Sequence, residues 1–403
     1  MPDLVLVAGA GLAGLAAAVS LHETGIDTMV VERRAHAGGA SRESAGWIWR
    51  YTELDGYRSG APSGGPALQQ LVLDRFDDDV AWLEAHGVSV LEQGTGRAFT
   101  TGVRVDSQQA VDALVACLPP ECVRYLTLLL DLRRHADGWS ATLGGGDAEP
   151  GIAARVLDRD VRAGAVVLAG GGYAADTRCI AQEAGASRHA ASRWSVRPHD
   201  GGDGSTLVAV SALDVPRSAP TDGECFTRLV PDADDAARER LLIPFGELGG
   251  LDDQRLLDAH GGEIERAAHD WSGAMQAWEL ARRTGSGWIE LGTGALASSV
   301  HAGPVADIVA QAQRLGLDVQ QATGVDGSPV VRMPVVAGLT HSRCGIVVGA
   351  NAGVVGVPGL YAAGAEVADI GRGGTAGGLA QALVLGRVAA HSVIRAFAAT
   401  TSD

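Results

Sequence analysis

A glycine fingerprint close to the N-terminus constrains the fold of this chain more than any other feature. A continuous apolar run at residues 4–8 is typical of a buried parallel strand, and it leads into glycines at G-x-G-x-x-G spacing: Gly9, Gly11 and Gly14. A helix is predicted over residues 12–23 and a second buried strand over residues 28–31, just before Glu32. The first glycine permits a tight turn, the second lets the backbone approach a pyrophosphate, and the third lets helix and strand pack closely. The pattern therefore predicts a Rossmann-like dinucleotide site in which Glu32 binds the adenosine ribose.

The charged residues exclude several other classes of function. The 403-residue chain carries 32 basic and 48 acidic residues, a formal net charge of −16, and none of the basic residues is lysine. A P-loop and Schiff-base chemistry each need a lysine, and an extended nucleic-acid or anionic-membrane surface needs positive charge. We expect no nucleic-acid partner, and no membrane insertion because no uninterrupted apolar span has transmembrane length. Five scattered cysteines and the lack of a secretion signal predict a cytoplasmic protein.

Three further segments complete a pattern that begins with the fingerprint. Residues 32–41 contain Glu32, a short spacer and the pair Gly38-Gly39; residues 165–173 are an apolar strand that ends in three glycines; and residues 359–364 read Gly-Leu-Tyr-Ala-Ala-Gly. Together with the fingerprint, these segments resemble the four signatures of the glutathione-reductase-type FAD fold. The resemblance implies FAD as the cofactor. Because only one dinucleotide fingerprint is present, no separate NAD(P) domain is expected.

Shorter motifs resemble one branch of that fold. They are Gly-Gly-Ala-Ser-Arg-Glu-Ser-Ala-Gly at 38–46, Gly-Asp-Gly at 202–204, His-Ser-Arg-Cys-Gly-Ile at 341–346, and Gly-Gly at 377–378 followed by Leu-Gly-Arg at 385–387. These motifs are similar to those of the flavoprotein family of fumarate reductase, succinate dehydrogenase and 3-ketosteroid dehydrogenase. The resemblance implies an α/β fold, with a Rossmann-like FAD-binding domain of residues 1–211 and 335–403. Residues 212–334, which show no clear match, are expected to form an inserted α+β substrate (capping) domain.

The resemblance carries a set of candidate FAD-binding residues onto this chain. They are Gly9, Ala10, Gly11, Leu12, Ala13, Gly14, Glu32, Arg33, Gly38, Gly39, Ala40, Ser41, Ala169, Gly170, Gly171, Asp203, Gly364, Glu366, Gly377, Gly378 and Leu379. The start of the last helix, at residues 377–379, should direct its positive end at the flavin. No metal site is expected.

Departures from the family pattern also have consequences. Members with covalently bound flavin have a histidine near the Gly-Gly-x-Ser segment, and residues 41–49 contain none, so noncovalent FAD is expected. The family's Ala-Gly-Glu is one residue longer here, so either Ala365 or Glu366 lies at the flavin ribityl chain. The arginine that dicarboxylate reductases place before the final glycine pair matches Arg372 only with a one-residue shift. Their central catalytic arginine has no identifiable counterpart in this sequence, and Arg282 and Arg283 are only the nearest arginines to consider.

Two residues are predicted to act on the substrate. His341 is the candidate that hydrogen-bonds or electrostatically polarises a substrate carbonyl, and Arg372 is the candidate that binds a carboxylate with its planar fork. Trp47, Trp49 and Tyr51 follow the flavin segment, and they either form a wall of the substrate site or pack in the core.

The expected function is that of an FAD-dependent dehydrogenase or reductase of CH–CH groups, which forms or reduces a C–C double bond next to a carbonyl or carboxylate by hydride transfer at the flavin N5. The alternatives are a flavin oxidase or hydroxylase acting on an amine or alcohol, and a non-redox isomerase or lyase that uses FAD as a scaffold. A third alternative is a binding protein whose flavin site is vestigial. The partner is a small-molecule substrate. Because no haem or iron–sulfur cysteine motif is present, electrons would be exchanged with oxygen, free flavin or another protein.

Overall fold

The computed structural model describes residues 3–146, 155–196, 202–218, 225–367 and 370–400. Its strands are β1 (Val5–Ala8), β2 (Thr28–Val31), β3 (Trp47–Tyr51), β4 (Val90–Gln93), β5 (Thr100–Val105), β6 (Val123–Arg124), β7 (Thr127–His135), β8 (Gly138–Gly145), β9 (Val156–Ala163), β10 (Ala165–Leu168), β11 (Ser195–Val196), β12 (Cys225–Pro231), β13 (Gln254–Asp258), β14 (Glu263–Ile264), β15 (Ser286–Leu291), β16 (Ser299–Val300), β17 (Gly303–Pro304), β18 (Gln320–Thr323), β19 (Pro329–Ser342) and β20 (Leu360–Ala362). Its helices are α1 (Leu12–His22), α2 (Gly39–Arg42), α3 (Leu54–Gly60), α4 (Pro66–Ala85), α5 (Ser107–Ala116), α6 (Thr177–Ala184), α7 (Arg188–Ala191), α8 (Ser205–Ala209), α9 (Asp235–Leu248), α10 (Ala274–Arg283), α11 (Thr293–Leu296), α12 (Val305–Arg314) and α13 (Gly378–Thr400).

A parallel sheet forms the base of the candidate site. Its strand order is β20-β10-β1-β2-β6, and neighbouring strands in it are parallel. The four residues of β1 and of β10 are buried, because α1 and α13 pack together beside the sheet and the β7-β8-β9 sheet also contacts it. The chain passes from β1 to β2 on one side and later to β10 on the other. The carboxyl edge beside β1 is therefore a topological switch point, where open α/β sheets bind ligands. The expected α/β fold is confirmed.

The middle of the chain builds a mixed sheet around the long strand β19. The order is β11-β19-β15-β13-β14, and β12 and β18 also pair with β19. A hydrophobic cluster that includes Phe245, Ile289 and Met333 is confined to this middle region, whereas a larger cluster joins the N- and C-terminal parts. The expected boundary at residue 335 falls inside β19, so the two parts share a continuous strand. The division into domains stays a prediction.

Two local elements depend on tertiary contacts. Residues 124–139 lie mostly in β7 and β8, which pair as a hairpin. Of residues 354–363, only Leu360–Ala362 forms a strand that pairs with β10. The preceding residues form turns, in which Gly356 and Gly359 have φ of +76° and +81°.

Helix α13 is apolar enough to need separate comment. By length and composition its Gly378–Ala399 segment could cross a membrane, and 56% of its apolar window is buried inside the protein, where α13 packs on α1 and α4. Such burial is what the core helix of a globular fold shows. The expected lack of membrane insertion and the cytoplasmic location stay predictions.

Candidate active site

A cavity of about 1320 Å³ lies at the carboxyl edge of the parallel sheet. It extends into the middle region, where residues of β12, α9 and β16 line it. Most of the candidate FAD-binding residues line the same cavity: Gly9, Gly11, Leu12, Ala13, Glu32, Arg33, Gly38, Gly39, Ala40, Ser41, Ala169, Gly170, Gly171, Asp203, Gly364, Gly378 and Leu379. The fold thus brings together segments that are far apart in the sequence.

Steric constraints explain the spacing of the three fingerprint glycines. Gly9 has φ of +111°, and a Cβ there would lie 2.3 Å from the carbonyl oxygen of Ala169, which follows β10. A Cβ at Gly14 would lie 1.9 Å from the carbonyl oxygen of Gly9, so α1 could not pack as closely on the turn. At Gly11 a Cβ would meet protein atoms only at 3.6 Å and beyond, which is ordinary contact. Close backbone packing within the protein therefore requires glycine at positions 9 and 14. Gly11 is under no such constraint, and it lines the open cavity.

Acidic side chains are fixed around this turn. The two carboxylate oxygens of Glu32 accept hydrogen bonds from the backbone N–H groups of Ala10 at 2.8 Å and Arg34 at 2.9 Å. Arg33 forms an ion pair with Asp203, whose other oxygen accepts from Ser205 N at 3.0 Å. These contacts hold Glu32, Arg33 and Asp203 at the cavity wall.

The arrangement fits a dinucleotide such as FAD. The N-terminus of α1 faces the cavity, and the helix dipole together with the N–H groups of its first turn favours a pyrophosphate. Leu12 N donates to Ser41 Oγ at 3.2 Å, which fixes the Gly-Gly-x-Ser segment against this helix end. The carboxylate of Glu32 accepts hydrogen bonds, so it suits ribose hydroxyls.

Four of the candidate FAD-binding residues do not line the cavity: Ala10, Gly14, Glu366 and Gly377. Gly14 and Gly377 serve close packing, since a Cβ at Gly377 would lie 2.0 Å from the carbonyl oxygen of Trp49. The carboxyl group of Glu366 is fully buried, where it accepts from Thr206 Oγ1 at 2.7 Å and Gly172 N at 3.0 Å, and burial raises its pKa. Of the two residues considered for the ribityl position, Ala365 lines the cavity and Glu366 points away from it.

His341 lies beside the N-terminus of α13, at the cavity wall. A Cβ at Gly378 would lie 3.3 Å from Cε1 of His341, so the glycine lets the imidazole approach the helix end. Burial, together with the positive charges of Arg343 and Arg228, lowers the pKa of His341 to about 3. At neutral pH the ring is therefore uncharged and can donate one N–H hydrogen bond.

A β-bulge aims His341 into the cavity. Thr227 pairs with Leu339 and Phe226 pairs with His341, so Thr340 is an extra residue on β19. In a regular strand consecutive side chains face opposite sides, yet both Thr340 and His341 line the cavity. The bulge therefore turns His341 toward the side that Gly338 and Thr340 already face.

The structure does not place the predicted arginines at the cavity. Arg372 does not line it, because the loop of residues 371–374 runs along the end of α3, where Ser63 N donates to the Arg372 carbonyl oxygen at 3.2 Å. Arg282 and Arg283 pair with Glu279 on the surface of α10 and do not line it either. The role of Arg372 in binding a carboxylate stays a prediction.

Other side chains of the middle region take part instead. Arg228 of β12 and Trp271 line the cavity, and no motif marks either of them in the sequence. Trp271 lies 5.6 Å from Trp49 between ring centroids, and Trp47 and Trp49 line the cavity as well, so these indoles form an aromatic wall. Tyr51, the third residue of the expected aromatic cluster, is buried in the core.

Comparison with known proteins gives consistent results. Residues 5–188 match the model of the family described as FAD dependent oxidoreductase. A curated relative, 4-oxocyclohex-2-ene-1-carboxylate 5-dehydrogenase of Sinomonas cyclohexanicum, is 40% identical over 81 residues, which are 19% of this chain and only 13% of the relative.

Two solved structures show the same fold over nearly the whole chain. One is the open conformation of a flavocytochrome c3 fumarate reductase, with a TM-score of 0.68 and 15% identity, covering 98% of this chain and 78% of that chain. The other is 3-ketosteroid-Δ4-(5α)-dehydrogenase from Rhodococcus jostii, with a TM-score of 0.68 and 15% identity, covering 97% of this chain and 96% of that chain. The resemblance inferred from the sequence motifs is confirmed.

Proposed function

Because the chain is an FAD-dependent oxidoreductase with the fold of the fumarate reductase flavoproteins, we propose that it forms or reduces a C–C double bond next to a carbonyl or carboxylate of a small molecule. The names of the relatives support this proposal, since they describe reduction of fumarate and dehydrogenation of a ketosteroid and an oxocyclohexenecarboxylate. The substrate-side part of the cavity supports it too, since three indoles suit an apolar carbon skeleton.

We infer that FAD is held noncovalently. When bound, it supplies hydride transfer at its N5. The turn at Gly11 and the N-terminus of α1 would hold the pyrophosphate, and Glu32 the ribose. The N-terminus of α13 carries partial positive charge, which would stabilise negative charge on the flavin pyrimidine. Residues 41–49 contain no histidine for a covalent link.

His341 is the observation that carries the proposed reaction. The imidazole faces the cavity next to Gly378, and its lowered pKa keeps it a neutral donor at working pH. A hydrogen bond from this ring to a substrate carbonyl oxygen withdraws electron density from the neighbouring carbons. One carbon of the pair then loses a proton more readily in dehydrogenation, or accepts hydride more readily in reduction.

Anaerobic mixing with candidate enones and saturated ketones tests the reaction. Net bleaching of the flavin absorbance, or reoxidation of the reduced flavin, is expected for a redox enzyme. Formation of isomerised or cleaved product without net flavin reduction would support the non-redox alternative. Turnover confined to amines or alcohols would support the oxidase alternative.

Substitution of His341 tests its role. We expect His341→Ala to lower kcat by about 10²- to 10³-fold, the usual effect of removing one oxyanion-type donor, with unchanged flavin content. His301→Ala is the matched control, because His301 lines the same cavity but packs edge-to-face on Trp47, with ring centroids 5.2 Å apart. Equal losses in the two variants would contradict a specific role for His341.

A further inference from the structure

Glu366 is a buried acidic residue to which the proposed reaction gives no role. It is 0% exposed and does not line the cavity, whereas its neighbour Ala365 does. One carboxyl oxygen accepts a hydrogen bond from Thr206 Oγ1 at 2.7 Å, and the other accepts one from Gly172 N at 3.0 Å. Burying a carboxyl group costs free energy unless such partners offset it. The partners show which segments Glu366 joins: helix α8 and the turn after β10.

The residues just before Glu366 lie between the two helix ends that would bind the cofactor. A Cβ at Gly364 would lie 2.9 Å from Cβ of Ala13 in α1 and 3.8 Å from Cβ of Ala382 in α13. Gln381 Nε2 of α13 also donates to the Gly364 carbonyl oxygen at 2.8 Å. The pyrophosphate is assigned to the N-terminus of α1 and the flavin ring to that of α13. Because the ribityl chain connects these two parts of FAD, its path runs along the cavity wall at residues 363–365.

Thr206 brings a hydroxyl group to the same stretch of the wall. A Cβ at Gly170 would lie 2.5 Å from both Cγ2 and Oγ1 of Thr206, so the threonine packs directly on the turn after β10. In that turn, a Cβ at Gly172 would lie 2.6 Å from the carbonyl oxygen of Ala365. Thr206, Gly170 and Ala365 all line the cavity. The glycines and the alanine have no polar side chain, whereas a hydroxyl group can both donate and accept a hydrogen bond.

We propose that Thr206 binds a ribityl hydroxyl group of FAD and that Glu366 is the positioning residue that orients Thr206. The Thr206 hydroxyl donates its hydrogen to Glu366, so its oxygen keeps lone pairs that can accept from the ligand. A group that is already fixed loses less entropy when a ligand binds to it. Glu366, one of the two residues expected at the ribityl position, thus acts there through a neighbour. This role concerns the cofactor alone and does not depend on the reaction at the flavin ring.

Two ligands separate the ribityl part of the site from the rest. FAD contains the ribityl chain, whereas ADP contains only the adenosine and the diphosphate. Their dissociation constants are measured with FAD-free protein, by flavin fluorescence for FAD and by calorimetry for ADP. Thr206→Val keeps the shape of the side chain and removes the hydroxyl group. It should weaken FAD binding by about three- to tenfold, the effect of losing one hydrogen bond, and leave ADP binding within about twofold.

Variants of Glu366 test whether it acts through Thr206. Glu366→Gln can accept from Gly172 N with its amide oxygen and donate to Thr206 Oγ1 with its amide nitrogen, so FAD affinity should stay within about threefold. Glu366→Met has a similar length but no polar group, and it should weaken FAD binding by about tenfold with little effect on ADP. Once Thr206→Val has removed the hydroxyl group, adding Glu366→Met should weaken FAD binding little further.

Glu290→Gln is the matched control for changing a buried glutamate. Glu290 is 1% exposed, pairs with Arg255 and Arg332, and does not line the cavity, so both dissociation constants should stay unchanged. By contrast, Gly11→Ala at the pyrophosphate should weaken FAD and ADP alike.

Three outcomes would overturn the inference. They are wild-type FAD affinity in Thr206→Val, equal weakening of FAD and ADP binding in Glu366→Met, and additive losses in the double variant. If Glu366→Met does not fold, Thr206→Val alone decides whether the hydroxyl group binds the ribityl chain. Because every readout is made without substrate, failure of the proposed reaction and failure of this inference are distinguishable.

Discussion

At the scale of residues, the environment of His341 decides what its imidazole can do. Burial and two arginines oppose protonation, and one of them, Arg343, is itself buried enough that its pKa falls to about 10. Asp270 partly compensates Arg343, and that carboxyl is also buried, with its pKa raised by burial. A histidine in this setting is a neutral hydrogen-bond donor rather than a cationic acid with a proton to release.

The titration of His341 gives a prediction with a definite sign. The imidazole has a pKa of about 3 in the folded protein against 6.5 in an unperturbed chain. Between pH 6.5 and about 3, the imidazole is protonated in the unfolded state but not in the folded state. The contribution of His341 to stability is therefore complete above pH 6.5 and is lost as the pH falls toward 3.

Nitrogen NMR of histidine-labelled protein checks this prediction. The His341 signals, assigned by their loss in His341→Gln, should show a neutral ring at pH 5. The difference in melting temperature between wild type and His341→Gln should be constant above pH 7 and shift against the wild type on acidification. An imidazolium signal for His341 at pH 6 would contradict the structure.

At the scale of elements, the turn from β1 to α1 contains glycines with separate purposes. A Cβ at Gly14 collides with the Gly9 carbonyl at 1.9 Å, whereas one at Gly11 finds ordinary contact distances. Gly11 also has φ of −74°, which any residue adopts. The folded protein alone does not require glycine at this position, so the ligand is the remaining reason for it.

Alanine substitutions separate these two purposes. Gly11→Ala should leave the melting temperature of FAD-free protein unchanged or slightly raised, and weaken FAD binding at least about tenfold, because the new methyl group enters the pyrophosphate position. Gly14→Ala should destabilise the FAD-free protein by about 1–3 kcal/mol through overpacking. Melting curves and FAD fluorescence titrations measure both. A Gly11→Ala protein with wild-type FAD affinity would contradict the assigned pyrophosphate position.

At the scale of the whole molecule, a buried hydrogen-bond network joins the middle region to the loop before α13. Trp271 Nε1 donates to the Tyr51 hydroxyl at 2.8 Å, which donates to the Thr375 carbonyl oxygen at 3.0 Å. Ser272 and Thr375 share a hydroxyl contact of 2.7 Å. Trp271 lines the cavity and Thr375 lies three residues before Gly378, so the network ties the substrate wall to the helix end beside His341.

Two tyrosines provide a matched test of this network. Tyr51→Phe leaves the Trp271 N–H unpaired and should cost about 1–3 kcal/mol of stability, and turnover should fall because the loop before α13 is less well held. Tyr57 is equally buried, packs on Tyr51 at 4.7 Å, and its hydroxyl has no hydrogen-bond partner within the described part of the chain. Tyr57→Phe should therefore leave melting temperature and turnover unchanged or slightly raised. Equal effects of the two substitutions would show that ring packing, not the network, matters.

Much of the cofactor side could be predicted because its signals are local. The apolar runs at β1 and β10, the glycine spacing and Glu32 each depend on neighbours within a few residues, so the sequence pattern and the structure agree. Arg372 shows where motif spacing fails. One residue of shift along a loop changes which side chain meets a site, and Arg372 is not among the residues that line the cavity.

By itself, the sequence determined the α/β class, the dinucleotide turn and the histidine of the site, since backbone geometry and close approach demand particular residues at fixed spacing. Only the tertiary structure decided that His341 is neutral and that Arg228 lines the same cavity. Those outcomes depend on a bulge in β19 and on the pairing of β12 with β19, which bring together residues more than a hundred positions apart. Burial and charge at such a meeting point are properties of the assembled neighbours, and no single segment encodes them.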